Sequence, residues 1–300
     1  MIQNEIKINL FGLEFSIYWY GIMIALGIIL CFVTLFLYCK FKKVEERFTD
    51  FCFYTAVAAI ACGIGGAALF QSVYNYIANP SAGFRIGGLT FIGGLICGVG
   101  FFLIIYFIFR KKYNDTLLKI MPIVGSCVTI AHGMGRIGCF FAGCCYGKET
   151  DSIFGVHFPH GAASTLDKVH PTQLYEAIFL LVLFAVLTFL AFKCEFKYNM
   201  SIYLVAYGIF RFINEYFRGD ARGELLGFMT PSQFWSVVMV CLGILYFFAI
   251  KKDWFGKIAR HFDIKDNNNR VKNKPQEKVE PASNPVDATT DVTAEEANDN

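Results

Sequence analysis

The sequence predicts an all-α polytopic membrane protein with about seven transmembrane helices, its N-terminus outside and its C-terminus cytoplasmic. Three observations predict it. Hydrophobic residues make up 55% of the 300-residue chain, Phe alone fills 33 positions, charged residues are only 17% and the mean hydropathy is +0.47. Apolar runs recur at lengths suited to membrane helices, and basic residues collect in alternate links between those runs. Together these exclude a soluble enzyme with a large core. The net charge of +3 does not point to nucleic acid, because the excess lies in short juxtamembrane links where topology already explains it.

The expected helices cover about 17–39, 51–73, 86–109, 119–140, 173–192, 200–217 and 231–250. Most reach the roughly 20 residues that carry a helix across about 30 Å of hydrocarbon. The first is a retained helix and not a cleaved leader, since Glu5, Lys7 and Glu14 leave no positive n-region before a long apolar run. Lys40, Lys42, Lys43 and Arg47 follow it, and Arg110, Lys111, Lys112 and Lys119 precede the fourth helix. Lys193 and Lys197 follow the fifth, and Lys251, Lys252 and Lys257 follow the seventh. Seven crossings put all these links on one side, which the positive-inside rule makes cytoplasmic. The links around 74–85, 141–172 and 218–230 then face outward. Residues 1–257 form the membrane domain. Residues 258–300, rich in Asn, Asp, Glu, Lys and Pro, read as a disordered cytoplasmic tail.

Small residues shape the second and third helices. Gly63, Gly65 and Gly66, with neighbouring alanines, let helix backbones approach closely. In GGLTFIGGLICGVG at 87–100, two glycine pairs and Thr90 allow either close packing or a loosened helix start that offers N–H groups to an anion. Tyr18, Trp19 and Tyr20 open the first helix, as interface anchors or as contacts to lipid.

Charges inside such a chain are costly, so they locate function. AHGMGRIGCFFAGCCYG, at 131–147, holds Arg136 beside Cys139, Cys144 and Cys145. In YGIFRFINEYFRGD at 207–220, spacings of four and three put Arg211, Glu215 and Arg218 broadly on one helix face. An Arg211–Glu215 ion pair explains part of this. With Arg136 at the outer end of the fourth helix, a shared anion site explains all of it, and arginine grips phosphate through two parallel donors. His132, one turn before Arg136, either joins the same cavity or satisfies an acceptor between helices. In HPTQLYEA at 170–177, Pro171 and Thr172 organise a helix entry, while Gln173 and Glu176 are polar enough to reach a cavity or to serve structure.

The three outer cysteines are open to several uses: ordinary burial, a disulfide, a nucleophile carrying a transferred group or, as the least favoured reading, metal binding. CxxxxCC is not a strong zinc pattern, adjacent cysteines alone do not establish tetrahedral ligation, and no metal ligand is assigned. The other cysteines suit apolar helix surfaces. His157 and His160 sit in the outer link GVHFPHG as solvent-facing loop residues.

In this order, IYWYGIMIALG, GGLTFIGGLICG, GMGRIGCFFAG, HPTQLYEA and YGIFRFINEYFR resemble the prolipoprotein diacylglyceryl transferase family over roughly residues 15–250. The resemblance implies a multi-pass enzyme of the bacterial inner (plasma) membrane. Such an enzyme moves the diacylglyceryl group of phosphatidylglycerol to the lipobox cysteine of a preprolipoprotein, forming a thioether and releasing glycerol phosphate. Its partners are lipid and lipobox peptides, with no cofactor. It also implies that Arg136 binds phosphatidylglycerol, that Arg211 and Glu215 are an essential pair, and that Tyr20 and Arg218 are further polar positions of the substrate site, to which the residues themselves add Gln173 as a substrate-binding candidate. The chain departs from the family's usual residues at Ile92, where histidine is usual, at Cys139 and Ala142, where asparagine is usual, and at Cys144, where glutamate is usual. Two other readings stand beside it: a cysteine-dependent lipid or acyl transferase with another acceptor, and a non-enzymatic phospholipid binder or transporter.

Overall fold

The computed structural model describes residues 5–10, 13–86, 88, 90–159, 163–194, 196–218, 229–254 and 257. The expected tail at 258–300, His160, most of the 218–230 link and the side chain of Ile92 lie outside the described residues. The chain divides into one unit of Met1–Lys252 and another of Asp253–Asn300, and every element named below belongs to the first.

An antiparallel hairpin of β1 (Glu5–Leu10) and β2 (Leu13–Tyr18), pairing Glu5 with Tyr18, leads into α1 (Trp19–Phe41). Then follow α2 (Glu46–Ala78), α3 (Phe91–Phe109) and α4 (Leu117–Ala142). A second hairpin, β3 (Val156–Phe158) with β4 (Thr165–Val169), precedes α5 (Thr172–Lys193), α6 (Asn199–Asn214) and α7 (Pro231–Lys251). The two hairpins refine the all-α expectation, because outer links can pair their own backbone as strands where water replaces lipid.

Six of the helices are long and apolar enough to cross a membrane, which makes this a polytopic membrane protein. The exception is α6, with 16 residues and a 3-10 turn at Glu215–Phe217. It ends three residues before the expected 217 and carries buried polar groups. At 1.5 Å per residue α2, with 33 residues, runs about 50 Å, well beyond the bilayer core. Its expected start at 51 falls one turn inside the observed helix. The third helix starts five residues later than expected. Gly88 takes a left-handed φ of 78°, and Thr90 donates its N–H to Ala67 O at 3.1 Å and its hydroxyl to Gln71 Oε1 at 2.6 Å. These bonds turn the chain back onto α2.

Close packing is what Gly63, Gly66, Gly94 and Gly98 serve, whereas Gly65, expected to do the same, has open space where a Cβ would stand. A Cβ on Gly63 would stand 3.1 Å from Gly94 O, and one on Gly98 would stand 3.1 Å from Ala59 O, so α2 and α3 meet backbone to backbone. On the other side α1 lies against α4, where a Cβ on Gly27 would stand 3.0 Å from Met134 Cβ.

The basic links gather at one end of the bundle. Lys119 Nζ donates to Lys43 O at 3.0 Å and pairs with Asp115, while Glu45 N donates to Asp115 Oδ2 at 2.7 Å. Partial burial works against the Asp115 charge, but the Glu45 N–H and the Lys119 ammonium outweigh it and hold the carboxyl below its usual range. Asn199 Nδ2 spans from Pro122 O at 2.9 Å to Leu187 O at 2.8 Å, and the Tyr198 ring meets Phe247 at 4.8 Å. Thus the ends of α5 and α7 and the starts of α4 and α6 share that end. The C-terminal end of α4, the start of α5, the end of α6 and the start of α7 lie at the other.

Candidate active site

At this second end, polar side chains are buried in an otherwise apolar bundle. Glu176, one turn into α5, is only 1% exposed. A carboxylate in such surroundings needs a partner of opposite charge and satisfied oxygens. Arg136 Nε of α4 lies 2.9 Å from Glu176 Oε1, and Tyr207 of α6 donates its hydroxyl to the same oxygen at 2.6 Å. His132, one turn before Arg136, completes the group: Nε2 is 3.6 Å from Glu176 Oε1 and 3.5 Å from the Tyr207 hydroxyl, and Nδ1 is 3.3 Å from the Tyr203 hydroxyl. Three helices are therefore tied through one carboxylate.

Arg211 extends the cluster along α6. It is one turn beyond Tyr207, within electrostatic range of Glu176, and 7% exposed. Its Nη2 lies 2.8 Å from Glu215 Oε2 and donates to Ser232 Oγ at 3.1 Å. Glu215 Oε1 in turn accepts the Thr230 hydroxyl at 3.1 Å. Thr230 also caps α7, accepting Gln233 N at 3.3 Å while its own N–H donates to Gln233 Oε1 at 3.0 Å. Among the described residues, the Arg211 Nη1 donor and the Gln173 Oε1 acceptor are buried without a hydrogen-bond partner. A guanidinium nitrogen in such a position can donate to an anion.

The loop after α4 is clamped to α5. Gly143 ends the helix at φ 61° and its amide donates to Phe140 O, while Cys144 N donates to Cys139 O at 3.2 Å. Gln173 Nε2 then donates to Cys144 O at 2.7 Å, and Thr172 Oγ1 donates to Cys145 O at 3.0 Å. Cys145 is left-handed at φ 63°, which a non-glycine residue adopts only when its surroundings enforce it. The result brings the Sγ atoms of Cys139, Cys144 and Cys145 within 4.8 Å of one another as free thiols. Arg218, buried beside them, hydrogen-bonds Cys145. Cys145 lies beyond α4, and its thiol is held below the ordinary range first by Cys139 and Cys144 and then by the Arg218 guanidinium. A bridge pairing Gly147 with Arg218 and a bond from Lys148 N to Phe217 O at 2.8 Å fix that arginine's backbone.

Of the residues singled out in the sequence, Arg136 and His132 meet at Glu176, with Arg211 in electrostatic range of His132 and Glu176. Arg211 and Glu215 pair next to them. Arg218 sits with the cysteines, and Gln173 anchors their loop. Tyr20 is half-exposed at the mouth of α1, and its Cδ2 would stand 3.1 Å from a Cβ on Gly138. Its neighbour Trp19 stacks on Phe141 at 5.7 Å. His157 Nδ1 engages Leu166 O at 2.6 Å within the β3–β4 hairpin, away from the arginines. Sequence reasoning gave Glu176 no central part, and it passed over Tyr203, Tyr207, Thr230 and Ser232 altogether. An isolated carboxylate in an apolar helix was the available signal for Glu176, and the TPSQ cap was the one for Thr230.

A family model described as prolipoprotein diacylglyceryl transferase matches residues 8–249. Among curated relatives, a phosphatidylglycerol–prolipoprotein diacylglyceryl transferase of Clostridium tetani is 37% identical over 251 residues, covering 82% of this chain and 97% of that protein. The second such transferase of Clostridium perfringens is 36% identical, over 80% of this chain and 92% of its own. A Rickettsia canadensis transferase of the same description is 34% identical, over 81% and 96% respectively.

Proposed function

The chain belongs to the prolipoprotein diacylglyceryl transferase family, and from that premise we propose that it transfers the diacylglyceryl group of phosphatidylglycerol to the lipobox cysteine of a preprolipoprotein. The products are the thioether-linked precursor and glycerol phosphate. The chain is read as a multi-pass protein of the bacterial inner (plasma) membrane. Its site end faces outward and its basic end faces the cytoplasm, where positive links are retained.

The buried Arg211 Nη1 donor, within electrostatic range of the Glu176 carboxylate that Arg136 pairs with, carries this reading. Two guanidinium groups meet the phosphate of the donor lipid, and both remain charged when water is excluded. As sulfur attacks the glyceryl carbon, negative charge grows on the departing phosphate oxygen. Donors already in place stabilise that charge without having to reorganise. Glu176 and Glu215 prevent an uncompensated excess of positive charge, and each orients one arginine. Tyr207 and His132 fix the Glu176 carboxylate, and His132 is the candidate proton acceptor of the network. Tyr20, Gln173 and Arg218 line the approach of lipid and peptide.

Mass spectrometry of a lipobox peptide, in cells depleted of their own transferase and supplied with this chain, tests the reading. Wild type is expected to yield diacylglyceryl-modified peptide, and Arg136→Ala to lower the product at least about 100-fold at unchanged protein abundance. Undiminished product from Arg136→Ala would refute the phosphate contact. Phospholipid binding with no covalent product would instead favour a binder or transporter.

A further inference from the structure

We propose that Cys139, Cys144 and Cys145 form an open three-thiolate site for a zinc-class d10 metal ion, whose fourth position takes the thiol of the incoming lipobox cysteine. This inference rests on the diacylglyceryl transfer reading and supplies what that reading lacks, a way to activate the acceptor thiol. The spacing CxxxxCC offers no zinc motif, so the site is a product of the fold.

Three features of the loop make it a built site. The sulfurs, all within 4.8 Å of one another, need little further approach. Tetrahedral zinc with Zn–S bonds of about 2.3 Å places its thiolates about 3.8 Å apart. The backbone that presents them is fixed by the Gln173–Cys144 and Thr172–Cys145 bonds and by the enforced left-handed φ of 63° at Cys145. Among the described residues, Cys139, Cys144 and Cys145 are the only His, Asp, Glu or Cys side chains in the group, so these residues supply three ligands. Three protein ligands with one open position is the pattern of catalytic zinc, whereas structural zinc is closed by four.

Charge and access agree. Three thiolates and a divalent ion sum to one negative charge, and the Arg218 guanidinium beside Cys145 offsets it. A cavity of about 600 Å³ has Cys145, Gly147, Lys148 and Thr165 in its wall, which brings a space large enough for an extended peptide up to Cys145. Cys139 also lies one helical turn beyond Arg136 and within its electrostatic range, so a metal-bound thiolate would stand next to the phosphate-binding arginine.

A thiol that binds zinc gives up its proton, here to water in the open cavity, and remains nucleophilic as the thiolate. Its sulfur then attacks the glyceryl carbon attached to phosphate. The C–S bond forms as the C–O bond breaks, the electron pair leaves on the phosphate oxygen, and glycerol phosphate takes up one proton from solvent. The neutral thioether is a poor ligand and departs, and the metal keeps its oxidation state throughout.

The test uses the full-length protein in detergent, loaded with Co²⁺ as a visible stand-in for zinc. Its thiolate-to-cobalt absorption is expected to correspond to one ion per chain and to grow when a lipobox peptide containing cysteine is added. The same peptide with serine in place of cysteine should leave it unchanged. Cys139→Ser, Cys144→Ser and Cys145→Ser should each weaken binding by at least about tenfold, while Cys31→Ser and His160→Ala should not. In parallel, a zinc chelator should lower peptide lipidation at least about tenfold, with zinc restoring it. No stoichiometric binding, a spectrum blind to the thiol peptide, loss of the ion in His160→Ala, or full turnover in metal-free protein would each overturn the inference. The wild-type spectrum with the two peptides decides the matter even if a cysteine variant fails to fold. Turnover without metal defeats only this inference. A spectrum that responds to the thiol peptide, with no lipidated product from phosphatidylglycerol, defeats the proposed reaction and leaves the metal site standing.

Discussion

Glu176 is the residue on which the cluster turns. It contacts Arg136, His132 and Tyr207 at once, yet nothing near it in the chain is charged except through the fold. Glu176→Gln keeps the shape and removes the charge, leaving Arg136 desolvated without its ionic partner. Thermal unfolding in detergent is expected to show a loss of about 2–4 kcal/mol, with lipidation reduced alongside it. Unchanged stability would mean that Arg136 is satisfied by other groups. The arginines were visible in the sequence because a cation in an apolar segment is costly wherever it sits. Their common partner was not visible, because the Tyr207–Glu176 contact joins residues 31 apart, and no local spacing rule spans such a distance.

Elements are held by different physics at the two ends of the bundle. At the basic end, Asp115 stitches the α1–α2 link to the start of α4 through Glu45 N and Lys119. Because the carboxyl sits below its unfolded value near 3.9, its stabilisation is present above that pH and is lost as pH falls through the folded value. Asp115→Asn is expected to lower stability at neutral pH by less than about 1 kcal/mol, since the pair keeps partial contact with solvent that screens it. The gap from wild type should close below about pH 4. A constant gap in melts across that range would assign the effect to shape and not to charge. The helices were legible to within a few residues from their hydropathy. The start of α3 was not, since its glycines serve the α2 contact and Thr90 folds back on Gln71, and both depend on a partner helix.

At the scale of the whole molecule, the basic links converge on one end and the arginine and cysteine clusters occupy the other. The reading of an outward site makes a direct prediction for Glu149→Cys and Lys42→Cys in intact cells. A membrane-impermeant maleimide should modify the first from outside and the second only after permeabilisation, with adducts located by peptide mass spectrometry. Equal labelling of both would break the proposed orientation and the count of seven crossings on which it depends. Composition alone determined that the chain lives in a membrane, because hydrophobic transfer energy adds residue by residue and needs no knowledge of neighbours. The ordered motifs likewise determined the family, as a property of the linear chain. Only the tertiary structure decided that Glu176 joins three helices and that three cysteines share one point beside Arg218. Ion pairing and sulfur geometry depend on distances of a few ångströms between segments, and those distances exist only once the helices have packed.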